Sequence, residues 1–230
     1  MKFNLFFLSL FVLLGCAKKM EEPVILTKEG VAEPMLTYLA LGDSYTIGES
    51  VAASESFPYQ FATKLKAQGF NAANPKIIAK TGWTTDELQV AIKAENLSQT
   101  FDFVTLLIGV NNQYRGYSQL SYRKEFAALL QTAIGFAGGN KKRVFVISIP
   151  DWGVTPFGLS SGKSTKAIAE EIDAFNAINK EETLAQDVSY TDITPMSRNA
   201  ATDLSLVAKD GLHYSGKMHL QWAAAIPILK

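Results

Sequence analysis

From Met35 onward the chain alternates two hydrophobic patterns: short unbroken apolar runs, and stretches whose apolar residues return at helical spacing. The first kind marks strands buried on both faces and the second amphipathic helices, so their alternation predicts βαβ units and a parallel sheet. Tyr38–Leu41 is the first predicted strand, and it stops at Gly42-Asp43-Ser44. Phe57, Phe61 and Leu65 then fall on one helical face, with Ser56 as a candidate N-cap and Gly69 as a stop. Pro75–Ala79 reads as a second, weaker strand, and Thr84 with Glu87 has capping-box spacing for a helix through Leu88 and Ile92. Phe101–Ile108 is the strongest strand signal and ends in Gly109-Val110-Asn111-Asn112. A helix carrying Phe126, Leu129, Leu130 and Ile134 follows, stopped by Gly138-Gly139. Arg143–Ile149 is the fourth strand, and a loop is expected from Pro150 to Gly162. Ile168, Ile172, Phe175 and Ile178 line a further helix, Val188–Ile193 an edge-like fifth strand, and Leu220, Ala224 and Ile228 a last helix after an irregular stretch from Thr194 to Gly216.

The start of the chain does not fit this pattern. Met1-Lys2 supplies a positive charge and Phe3–Leu14 is almost wholly apolar, yet too short to span a bilayer comfortably. Residues 1–15 therefore read as a secretory signal. It ends at Leu13-Leu14-Gly15-Cys16, and Cys16 is the chain's only cysteine. These four residues resemble a bacterial lipobox. The resemblance implies that Cys16 becomes the lipidated first residue of an envelope lipoprotein, anchored in a membrane on its periplasmic or surface side. With Cys16 acylated, no thiol remains for disulfides, metals or nucleophilic catalysis. Residues 16–34 carry charges, Pro23, Gly30 and Pro34 with little periodicity, as a solvated tether does. Residues 35–230 form the expected folded domain. The chain of 230 residues is 47% hydrophobic, and its formal net charge of +0, with no basic block, argues against nucleic acid as a partner.

Candidate chemistry gathers at strand ends, where open α/β sheets bind their ligands. The first predicted strand ends in Ser44, the second runs into Thr81-Gly82, and the third ends in Gly109-Val110-Asn111; the tail adds Asp210-Gly211-Leu212-His213 in a chain with two histidines. Each block alone has an ordinary reading. Asp43 and Ser44 suit a turn and helix cap, Gly82 a turn, and Asn111 a loop amide bonded to its own backbone. Together, Gly42-Asp43-Ser44, Gly82, Gly109-x-Asn111 and Asp210-x-x-His213 resemble, in order and spacing, the four blocks of the SGNH (GDSL) hydrolases. The resemblance spans Tyr38 to about Trp222. It implies a three-layer α/β/α sandwich of flavodoxin-like type around a parallel sheet of about five strands. It also implies a carboxylic ester hydrolase that works through an acyl-enzyme without cofactor or metal.

Under that resemblance Ser44 is the nucleophile, His213 its base and Asp210 the residue that orients His213, while the Ser44 and Gly82 N–H groups and the Asn111 side-chain amide form the oxyanion hole. The chemistry requires such types: a serine hydroxyl needs an adjacent base, and a developing oxyanion needs fixed donors. The family commonly has an aspartate after the asparagine, where this chain has Asn112. His219 lacks a matching partner and reads as a helix-surface residue; a metal site of Asp210, His213 and His219 lacks a fourth ligand and metal-binding spacing. Trp83, Trp152 and Phe157 are candidates for a pocket wall or for plain packing, and Tyr114 and Arg115 for substrate contact or solvent. Substrates range across short acyl, acetyl-carbohydrate and lysophospholipid-type esters, with short acyl chains or lysophospholipid-like esters favoured. The alternative from another class is a non-catalytic envelope lipoprotein that uses the same fold as a binding module.

Overall fold

Apolar runs become strands here because both sheet faces are covered. In the computed structural model, which describes residues 34–228, five strands form one sheet in the order β2-β1-β3-β4-β5. They are β1 (Tyr38–Gly42), β2 (Lys76–Ala79), β3 (Phe103–Leu107), β4 (Val144–Ile147) and β5 (Ser189–Thr191). Every neighbouring pair is parallel. All residues of β1, β3 and β4 are buried, whereas β2 and β5, at the edges, are only partly so. That is why the central runs were the clearest in the sequence.

The helices are α1 (Ser44–Ile47), α2 (Phe57–Ala67), α3 (Thr85–Glu95), α4 (Val110–Tyr114), α5 (Gln119–Phe136), α6 (Pro156–Ser160), α7 (Thr165–Ala185), α8 (Thr194–Arg198) and α9 (Gly216–Ala225). Helices α2 and α9 pack together, as do α3 with α5 and α5 with α7. Phe61 of α2 meets Tyr38, Phe103 and Phe145 edge-on, at centroid distances of 5.9 Å in each case. One aromatic thus clamps three adjacent strands to the α2 layer. From the α5 side, Tyr122 donates its hydroxyl to Asn179 of α7 at 2.6 Å and packs on Phe175.

Helix starts follow the sequence signals in part. Glu87 reaches back to accept the Thr84 N–H at 2.9 Å, which is one arm of the expected capping box. Ser56 sits at the α2 N-cap position, but its hydroxyl donates backward to Ala53 O instead. The stretch from Pro150 to Gly162 is not a plain loop. Thr155 caps α6 by accepting the Gly158 N–H, and Pro156 occupies its first turn, a start signature visible in the sequence. The tail between Thr194 and Gly216 likewise contains α8 and two single-turn 3-10 helices. The signal segment 1–15, the tether and Cys16 lie outside the described residues, apart from Pro34.

Candidate active site

The strand order turns around between β1 and β3: the chain moves to one side of β1 for β2 and to the other for β3. At such a switch point the connections leave in opposite directions and open a crevice beyond the strands' carboxyl ends. Ser44 follows β1 directly, and Gly109-Val110-Asn111 follows β3. A cleft of about 190 Å³ opens there, bordered by Ser44, Gly82, Asn111 and His213. Three of the four sequence blocks contribute through these residues and the fourth through His213, so the spacing pattern of the chain converges on one place.

Ser44 begins α1, and Asp43 caps that helix by accepting the Tyr45 N–H at 3.0 Å. The ordinary reading of Asp43 as a cap is therefore true, and it coexists with a serine facing the cleft. The Ser44 N–H belongs to the first turn, whose donors have no partner within a helix. Asp43 is fully buried and its second carboxyl oxygen has no hydrogen-bond partner. Burial pushes its carboxyl up to about 7, against the smaller opposing pull of the Tyr45 N–H.

His213 and Asp210 form one unit. His213 Nδ1 lies 2.5 Å from Asp210 Oδ2, while the N–H groups of Leu212 and His213 both donate to Asp210 Oδ1 at 3.0 Å. Partial burial alone would raise Asp210, but its bonds from His213, Ser50 and the two backbone N–H groups outweigh that and hold the carboxyl well below the usual range. An ionised carboxylate on Nδ1 fixes the ring so that Nε2 is left for other work. The loop is closed by the Ala208 N–H donating to His213 O at 2.7 Å. It is tied to α6 by Phe157 N–H donating to Gly211 O at 2.8 Å.

Gly82 adopts φ +87°, in the left-handed region where a side chain is strained. Its carbonyl accepts from Arg115 Nη2 at 2.6 Å, and the same guanidinium pairs with Glu87 at 3.2 Å. Arg115 is therefore occupied with the Gly82 loop. Asn111 donates one amide hydrogen to Trp83 O at 3.0 Å; an amide NH2 has two, so one remains for the cleft. Asn112 is fully buried and turned away: it accepts the Thr85 N–H at 3.1 Å and donates to the Thr85 hydroxyl at 2.7 Å. Where the family commonly has an aspartate, this amide fastens the β3 turn to the start of α3.

Apart from Thr81, the rest of the wall is apolar or aromatic. Tyr114, Trp152 and Phe157 border the cleft and touch one another edge-on or tilted, with Tyr114 and Trp152 at 5.4 Å. Trp152 is held from behind, its indole N–H donating to Gln113 Oε1 at 2.8 Å. Trp83 does not border the cleft; its ring is half-buried against the core. His219 corrects the sequence reading outright. It is fully buried, stacked near Phe57 and edge-on to Trp222, and its Nδ1 accepts the Phe57 N–H at 3.2 Å. It shares an α9 stripe with Trp222 and Ala223 that faces inward, a spacing that was available in the sequence. Gln113 and Ser50 carried no sequence signal at all, since each is a lone polar residue in a polar stretch.

The family model of GDSL-like lipases and acylhydrolases matches residues 40–220 of this chain. The chain belongs to that family. It is a GDSL-type carboxylic ester hydrolase, with the fold expected of one. Among solved structures it is similar to the lipase Lip_vut3 from goat rumen metagenome, at 18% identity and TM-score 0.65, with 83% of this chain and 95% of the other covered. It is also similar to the psychrotrophic esterase EstA from Pseudoalteromonas sp., at 15% identity and TM-score 0.61, covering 83% and 93%. A third is Axe2, an acetylxylan esterase from Geobacillus stearothermophilus, at 17% identity and TM-score 0.61, covering 83% and 91%. These likenesses carry the fold. No curated protein matches the chain.

Proposed function

We propose that this hydrolase cleaves short-chain carboxylic esters through an acyl-enzyme on Ser44. The observation that carries the reading is the convergence of Ser44, His213, Gly82 and Asn111 on one cleft, with Asp210 bonded to the far side of the His213 ring. His213 Nε2 takes the Ser44 proton as Oγ attacks the ester carbonyl. The carbonyl oxygen becomes an oxyanion and accepts from the Ser44 and Gly82 N–H groups and from Asn111. As the tetrahedral intermediate collapses, the bond to the alcohol oxygen breaks and His213 returns the proton to that oxygen. Water, deprotonated by His213, then attacks the acyl-serine, releasing the acid and restoring the serine. Asp210 keeps the ring in the productive tautomer and stabilises imidazolium throughout.

The cleft's size supports short acyl groups. At about 190 Å³ the cleft is smaller than the roughly 300–1,000 Å³ of sites that take drug-sized ligands, and the wall of Tyr114, Trp152 and Phe157 suits a short apolar chain. A fluorophosphonate probe should label the protein at Ser44, and Ser44→Ala should abolish both labelling and hydrolysis with thermal unfolding almost unchanged. On nitrophenyl esters of rising chain length, kcat/KM should peak at the short end; full turnover by the Ser44→Ala variant would sink the reading.

We also propose that Cys16 carries a lipid and that the enzyme works from the bacterial envelope, tethered through residues 16–34. Support comes from Leu13-Leu14-Gly15-Cys16 directly after an apolar segment; among the described residues no helix is long and apolar enough to cross a membrane. Cys16→Ser should move the protein out of the membrane fraction and end its labelling by a fatty-acid probe. Unchanged labelling would refute the assignment.

A further inference from the structure

The turn that follows α1 holds two polar residues whose side chains leave the turn in different directions. Glu49 accepts the Thr81 hydroxyl, on the loop that carries Gly82. Ser50 donates its hydroxyl to Asp210 Oδ2 at 2.7 Å, across 160 residues of chain. That is the same oxygen that meets His213 Nδ1. The turn is closed by the Glu49 N–H donating to Ser44 O at 3.0 Å and by the Val51 N–H donating to Gly48 O at 3.2 Å. Three of the four blocks at the cleft are therefore joined through residues 48–51.

Ser50 has φ +66°, the left-handed region that residues with a Cβ seldom occupy. Glycine or asparagine would sit there with less strain. Backbone strain in a folded protein invites the question of what it secures, and here the strained residue places a hydroxyl on the carboxylate that holds His213. We propose that Ser50 is a positioning residue for Asp210, and that the left-handed turn exists to deliver its hydroxyl to the outer side of the Asp210–His213 pair. The inference rests on the role given to Asp210 and His213 above.

The physical effect is twofold. A carboxylate held by four donors, from His213, Ser50 and two backbone N–H groups, has its plane fixed, and the plane sets where the imidazole points. Each donor also draws charge from the carboxylate, so losing one leaves more charge to stabilise imidazolium. Other titratable groups facing the pair are Tyr45 of α1, whose ring is 5.5 Å from that of His213, with Asp43 next to it, and His219 of α9. None of them bonds to Asp210 Oδ2, and none is touched by a change at Ser50.

Ser50→Ala and Ser50→Gly separate the hydroxyl from the backbone. Both lose the donor, but alanine keeps the strain and glycine relieves it. Both should lower kcat/KM by about 10-fold, the weak end of what a hydrogen bond to a charged group supplies, since this one is exposed to water. The loss should fall on kcat with KM nearly unchanged, and the acid limb of the kcat/KM profile should move to higher pH in both. Thermal unfolding should move apart, with the glycine variant the more stable. Wild-type kinetics in Ser50→Gly would overturn the proposal, because only the backbone would then matter. A loss of rate with an unmoved acid limb would overturn it equally. Fluorophosphonate labelling of the wild-type chain is run alongside: its failure defeats the Ser44 assignment, while labelling with unchanged variant kinetics defeats only the role of Ser50.

Discussion

Asn111 and Asn112 are neighbours with the same side chain and different surroundings. Asn111 borders the cleft with one amide hydrogen to spare, whereas Asn112 spends both ends on Thr85 in the interior. If Asn111 donates to the oxyanion, its bond strengthens as the carbonyl oxygen gains charge. Removing such a donor costs roughly 3 kcal/mol of transition-state stabilisation, or about 100-fold in turnover. Asn111→Ala should therefore lower kcat far more than it raises KM and leave unfolding nearly unchanged. Asn112→Ala strands the Thr85 N–H in the interior and should cost about 1–3 kcal/mol of stability, with a milder effect on kcat. Kinetics on one short-chain ester plus urea unfolding of both variants decide the matter; a larger kcat loss in the Asn112 variant would transfer the role.

At the scale of elements, the cleft depends on how β1 and β3 end. Both stop at a glycine-containing turn and pass at once into a short helix, α1 or α4, which swings the next side chain over the sheet edge. Gly109 makes the second turn possible. It has φ +129°, and a Cβ there would lie 2.1 Å from the Tyr122 hydroxyl oxygen, which sits 3.2 Å from Ile108 O. Two separate penalties, backbone strain and a clash with a fully buried ring, fall on any side chain at this position. Gly109→Ala should lose about 3 kcal/mol or more of stability, read as a lower midpoint in urea. A variant as stable as wild type would show that β3 and α5 give way more easily than their packing suggests.

For the whole molecule, two buried groups set opposing dependences of stability on pH. Asp43 is raised from 3.8 to about 7 by burial, so between those values the native state holds a proton that the unfolded chain has released; stability falls as pH rises across that window. His219 is lowered from 6.5 to about 3, by burial first and then by His213, so the native ring stays neutral where the unfolded one is protonated; stability falls as pH drops through that window. From about pH 4 to 6.5 the two slopes oppose each other, each roughly 1.4 kcal/mol per pH unit at most. Wild-type stability should be nearly flat there. Asp43→Asn should expose a rise with pH, and His219→Gln should expose a fall. Equal, flat profiles in both variants would show that Asp43 is ionised and His219 charged in the native state across that window.

By itself the sequence determined the strands and which candidate residues stand at their ends. Unbroken apolar runs such as Phe103–Leu107 suit only a strand covered on both faces, and the blocks around Ser44, Gly82 and Asn111 stand at local breaks after such runs, with Asp210-x-x-His213 set apart in the tail. Both signals are written in a few adjacent residues. The tertiary structure alone decided the strand order, because no local residue states which side of β1 the chain will cross to. It decided that Asn111 faces the cleft while Asn112 faces Thr85, since the direction of each amide is set by α3 packing 27 residues away from Asn112. It decided that His219 is buried and neutral, because α9 presents that face to Phe57 and α2. Ser50 was silent in the sequence for the same reason: its hydroxyl acquires a purpose only where the fold brings Asp210 within 2.7 Å of it.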